Sequence, residues 1–124
     1  KSNKMASLTT NIVINSSDAL SDRLSLSLAN TISITDPSEM SRVSILHSAP
    51  TELAAASTGA HYVYIKNISS TNTKPVDIRT AAGTAYGQLA TGEFTWIPCK
   101  INIGVEVIAI DEAVIVEYAI FKKA

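Results

Sequence analysis

Between Leu24 and Ile34 the chain alternates more strictly than anywhere else along its length. Leu24, Leu26, Leu28, Ile32 and Ile34 hold even positions, while Ser25, Ser27, Ala29, Thr31 and Ser33 hold odd ones. A helix would scatter these leucines around its circumference, whereas a period of two lines them along one face of a strand. Such a strand needs an antiparallel sheet with one face on a core and one toward water. Asn30 falls on the apolar parity and marks a bend, a bulge or a break between two strands.

The rest of the chain reads in the same way. Residues 7–14 alternate loosely, with Leu8, Ile12 and Ile14 on one parity, and form a first strand before the turn cluster Asn15-Ser16-Ser17-Asp18. Asp36-Pro37-Ser38-Glu39 is a turn, and Arg42 to His47 a short strand. Ala49-Pro50-Thr51 opens the one region of helical propensity, Glu52 to Ala56, with Thr51 placed as an N-cap. So short a segment predicts a surface loop with one helical turn, ended by Gly59. From His61 onward strand follows strand: His61–Ile68, the loop Ser69–Pro75, then Val76–Thr80, Ala85–Leu89 and Glu93–Cys99, separated by Gly83 and Thr91-Gly92. Ile101–Ile110 and Ala113–Phe121 are long apolar strands whose junction at Asp111-Glu112 predicts a hairpin.

Eight or nine strands in 124 residues, with no helix between any two, predict an all-β fold: a single antiparallel β-sandwich, jelly-roll-like. An immunoglobulin-like sandwich is the alternative, since the lack of paired cysteines does not exclude its cysteine-free relatives. Residues 1–6 read as a flexible arm and residues 7–124 as one sandwich domain. The start, Lys1-Ser2-Asn3-Lys4-Met5, lacks the apolar core of a signal peptide, and an initiator or longer leader is expected to have been removed or left out. No apolar run approaches the length of a transmembrane helix.

Charge narrows the choice of partners. A net charge of −1 and a pI near 6.1 supply no basic field for nucleic acid or anionic membrane, so neither is expected as a partner. Charged residues make up 17%, below the roughly 25% of an average protein. Ser, Thr and Asn fill the gap, and a hydroxyl-rich surface suits burial against other protein chains. Tyr62, Tyr64, Lys66, Lys74 and Arg79 form only a thin basic–aromatic pattern for nucleic acid.

The residues that carry chemistry do not gather into a motif. His47, His61 and Cys99 amount to three metal ligands on paper, but their spacing matches no zinc signature; strand-end histidines and a buried thiol are the expectation, with no metal and no cofactor. There is no Gly-x-Ser-x-Gly elbow, and Ala81-Ala82-Gly83-Thr84 lacks the phosphate-loop pattern. Asp18, Asp22, Asp36, Glu39 and Glu52 fall in polar turns or at strand ends. Glu106 and Glu117 lie within apolar strands, facing outward or pairing with a cation on another subunit. No catalytic residue is assigned, and the chain is not expected to be an enzyme.

Gly92-Glu93-Phe94-Thr95-Trp96-Ile97-Pro98 holds the only Trp and one of the two Phe. Gly92 supplies a turn, Phe94 and Trp96 share one face, and Pro98 stops the ladder near a sheet edge. This segment is expected to be a core anchor rather than a ligand platform.

Residues 61–121 resemble small virion structural proteins of tailed bacteriophages. The pattern runs from the aromatic strand Tyr62-Val63-Tyr64-Ile65-Lys66-Asn67 through a Ser/Thr/Asn loop to Val76-x-Ile78. Leu89-x-x-Gly92-Glu93-Phe94-x-Trp96-Ile97-Pro98 and Val116-Glu117-Tyr118 complete it. The resemblance marks Tyr62, Tyr64, Phe94, Trp96, Pro98 and Tyr118 as structural core. It implies a capsid decoration (cement) protein on the virion surface, a homo-oligomer and commonly a trimer, bound to the major capsid protein. The alternative it leaves open is a tail or fibre component with a receptor- or carbohydrate-binding role.

Overall fold

The computed structural model describes residues 5–35, 39–55, 59–70 and 74–124. The ten strands are β1 (Met5–Ser16), β2 (Leu24–Thr35), β3 (Ser41–Ile45), β4 (Thr51–Ala54), β5 (His61–Asn67), β6 (Val76–Arg79), β7 (Ala85–Leu89), β8 (Phe94–Cys99), β9 (Val105–Ala109) and β10 (Val114–Lys123). Every pairing is antiparallel. One sheet (sheet A) runs β1-β2-β10-β5-β8, with β3 also on β10, and the other (sheet B) runs β4-β9-β6-β7. From β3 onward each connection crosses to the opposite sheet, except the β6–β7 hairpin. The orders β3-β10-β5-β8 and β4-β9-β6-β7 are those of a jelly roll. β1 and β2 are additions to it; the count of ten rather than eight or nine comes from β4, a strand where a helical turn was expected.

One core joins the sheets. Val63, Ile65, Val114 and Val116 enter it from sheet A, and Val76, Ile78, Val105 and Val107 from sheet B; all are 0–3% exposed. Burying each such side chain stabilises the fold by roughly 1.5–3 kcal/mol. In β5 the odd positions 61, 63, 65 and 67 are buried and the even ones half-buried, so one strand separates core from outer face residue by residue.

Buried polar groups are handled locally. The Asn67 side-chain amide donates to the carbonyls of Lys74, at 2.8 Å, and Leu89, at 3.0 Å, while its oxygen accepts from the backbone N–H and hydroxyl of Ser69. It thereby ties the end of β5 to the end of β7. Gly92, at φ 84°, turns the chain from β7 to β8, and its N–H donates to the Asn67 carbonyl at 2.9 Å.

Three sequence expectations fail here. Residues 51–54 form strand β4, not a helical turn: four residues cannot nucleate a helix, and Ala54 and Leu53 gain burial on the core instead. A register shift between Glu52 and Ala54 absorbs the irregularity. The expected strand Ile101–Ile110 begins only at Val105, because Asn102 (φ 70°) and Gly104 (φ 74°) turn the backbone left-handed. Nor do β9 and β10 form a hairpin. β10 is paired along its edges by β3, β2 and β5, and β9 by β4 and β6, so residues 110–113 cross from one sheet to the other. The 36–38 part of the expected turn, residues 56–58 and 71–73, and residues 1–4 of the expected arm lie outside the described residues. Met5 and Ala6 already belong to β1.

Candidate interaction surface

The alternating stretch that most constrained the sequence forms a projecting β-hairpin. β1 and β2 pair residue by residue from Met5↔Thr35 to Ser16↔Leu24 without a register shift. Only Thr35 and Ile34 of β2 pair with β10, so the remaining hairpin leaves the sheet as an arm. Because the strands pair even with even, Leu8, Ile12, Ile14, Leu26, Leu28, Ile32 and Ile34 share one face. The opposite face is mostly polar apart from Met5, Val13 and Ala29, with the Thr9 and Thr31 hydroxyls 3.3 Å apart.

Burial along the apolar face falls off sharply. Ile34 is 2% exposed, whereas Leu28 is 54% and Ile12 and Ile14 are each 47% exposed. The arm carries no charge from Met5 to Ser17 or from Leu24 to Thr35; Asp18, Asp22 and Arg23 sit at its tip. Ser16 caps that tip by accepting hydrogen bonds from the N–H groups of Asp18 and Ala19.

The aromatic residues expected in the core lie on the outer face of sheet A. Tyr62, Tyr64, Phe94 and Trp96 occupy the parity opposite to Val63 and Ile65, which fill the core first. Trp96 stacks on Tyr62, with centroids 5.4 Å apart, and leans on Phe121 at 5.7 Å; the Lys123 ammonium lies 5.0 Å over Tyr62. Phe94 is 69% exposed. Of the six marker residues only Tyr118 packs against the core. Pro98 lies on β8, which is the edge strand, so its missing N–H costs no ladder bond within sheet A.

Two open clefts flank Phe94. One, of about 550 Å³, lies between the arm and sheet A and is lined by Thr10–Ile14, Tyr64 and Phe94–Trp96. Sequence reading missed it, because no local signal reveals that β1 faces an outer-face aromatic cluster. The other, of about 670 Å³, opens between β7 and β8 with Tyr86, Gln88, Glu93 and Phe94 on its walls. Gly87 leaves its floor without a side chain.

Several ionisable groups on the two sheets meet partners within the chain. Glu117 accepts from the Tyr64 hydroxyl at 3.0 Å and lies 3.4 Å from Arg42. Burial, and then the Glu117 carboxylate, raise the Tyr64 pKa. Glu106 lies 2.6 Å from Arg79 on sheet B, a close ion pair whose angle is not that of a hydrogen bond. Both carboxylates thus meet cations of their own chain. His61 is buried with Nδ1–H donating to the Gly59 carbonyl at 2.6 Å, and Cys99 is its cross-strand partner. Burial raises the Cys99 thiol pKa. His47 is exposed on a separate segment. Among the described residues no group of three or more His, Cys, Asp or Glu is placed to hold a metal, and no helix is long and apolar enough to cross a membrane.

No protein-family model, curated protein or solved structure matches the chain.

Proposed function

We propose that the chain is a non-enzymatic assembly protein, and that its role is the one its phage resemblance implies: a capsid decoration protein that bridges major capsid subunits and stabilises the head. The observation that carries the assembly reading is the arm. A two-stranded ribbon with uncovered aliphatic side chains is stable at its base through the sandwich and gains most at its far end by contact with another protein. The body offers a platform with a single packed core between its two sheets. A cement protein acts by number and by bridging, with no reaction. Adding the purified protein to shells that lack it tests the reading. Saturable binding at a fixed copy number and greater resistance of the shells to heat are expected; failure to bind them overturns it.

A second reading, a tail or fibre component that binds carbohydrate, is favoured by the β7–β8 cleft. Tyr86, 51% exposed, and Phe94 offer ring faces beside Gln88 and Glu93. Binding to a glycan array that is lost in Tyr86→Ala separates it from the first.

A further inference from the structure

We propose that the free edge of β1 is a self-association surface, and that it pairs antiparallel with β1 of a second copy about a two-fold axis. β1 is the terminal strand of sheet A, so among the described residues one side of its backbone has no ladder partner. Chains protect such edges with charges, prolines, bulges or short length. β1 has none of these over its 12 residues. Residues of both parities, Thr10 to Ile14, line the cleft facing Tyr64, Phe94 and Trp96, so it is this edge that looks into the cleft. A strand added to β1 enters the cleft and covers those rings.

The occupant is chosen by length, charge and area. Among the edges of the described residues, β4 has 4 residues, β3 and β7 have 5 and β8 has 6 with Pro98 among them. The outer edge of β2 beyond Ile34 is comparably long and uncharged but lends no residue to the cleft, so the edge that matches β1 and also brings the cleft with it is another β1. Neither partner carries a charge along the pairing strand, so like meets like without repulsion or buried charge. One two-fold operation caps both edges, whereas addition to any other edge leaves a free β1 on the last copy. Paired edges about 40 Å long and about 10 Å deep bury about 800 Å² in total, short of a stable interface by themselves. Covering Tyr64, Phe94 and Trp96 on both copies adds on the order of 100 Å² per ring and exceeds the roughly 1,000 Å² that a specific interface needs. Cleft and edge are therefore both required. The inference does not depend on which assembly the protein serves.

Light scattering on the purified full chain, with acrylamide quenching of Trp96, tests this pairing. The expected mass is twice the 13.2 kDa of the chain. Ile12→Lys/Ile14→Lys alters two side chains already half in water, and is expected to abolish the dimer and expose Trp96 to quencher. Phe94→Ser leaves the arm untouched and is expected to weaken dimerisation at least about tenfold, since it deletes a ring buried only in the dimer. It decides the matter if the lysine variant does not fold. A monomer at high concentration, a dimer indifferent to both variants, or a trimer or open polymer overturns the proposal. Shell binding is read separately, so a monomer that still binds shells sinks the pairing and spares the decoration role.

Discussion

The arm and strand β5 alternate with nearly equal regularity, yet the structure treats them in opposite ways. In β5, Val63 and Ile65 are fully buried between two sheets, and the even-numbered aromatics are left for the outer face. In the arm, Leu26, Leu28, Ile12 and Ile14 point together from one face and meet little of their own chain. Alternation therefore specifies which side chains share a face and nothing about whether that face is filled. Filling is a property of the second layer, and the arm has no second layer in the single chain.

The comparison breaks most readily at its buried end. Ile65→Ala is expected to cost about 2–5 kcal/mol in urea unfolding, through lost burial and the cavity left behind. Arg79→Ala leaves Glu106 without its cation and should cost about 3 kcal/mol; replacing both with apolar residues of similar volume should recover most of that. Asn67→Ala strands two carbonyls and the Ser69 donors, for an expected loss of about 2 kcal/mol. At the other end, Leu28→Ser should change the stability of the monomer by less than about 0.5 kcal/mol, because the side chain is already more than half exposed. A large loss of monomer stability there would show that the arm is covered by its own body after all.

A smaller, pH-dependent effect sharpens the same contrast. The Tyr64 pKa is raised in the fold, so its neutral form is the stabilised one. Its contribution is complete below the ordinary tyrosine range, near pH 10, and is lost as pH rises through the higher folded value. Unfolding curves of the wild type and Tyr64→Phe should therefore diverge in the alkaline limb alone, with the wild type losing stability faster.

How legible was all this beforehand? The strands from His61 to Leu89 were, because each carries a burial alternation or a β-branched run bounded by turn residues. Residues 51–54 misled, since alanines favour a helix locally while the core on the far side of β9 needed another strand. The β9–β10 junction misled for a different reason. A short polar connection looks the same whether it returns to the same sheet or steps across to the other. Tyr62 with Tyr64, and Phe94 with Trp96, were correctly given a shared face, but that face was assigned to the core. Ring size suggests burial, and only the presence of Val63 and Ile65 on the opposite parity shows which side the core occupies.

What the sequence determined alone is period and punctuation: that the chain is all-β, that Gly92 turns it, and that charge is absent from residues 5 to 17. These follow from dihedral preferences and from spacing along one strand, which are local. The ladder expected to stop at Pro98 runs on to Cys99. The tertiary structure decided which sheet each strand joined, which face met the core, and that the most regular alternation in the chain would stand uncovered. Those are choices between partners far apart in sequence, settled by a single core that β5, β6, β9 and β10 fill and to which the arm contributes nothing.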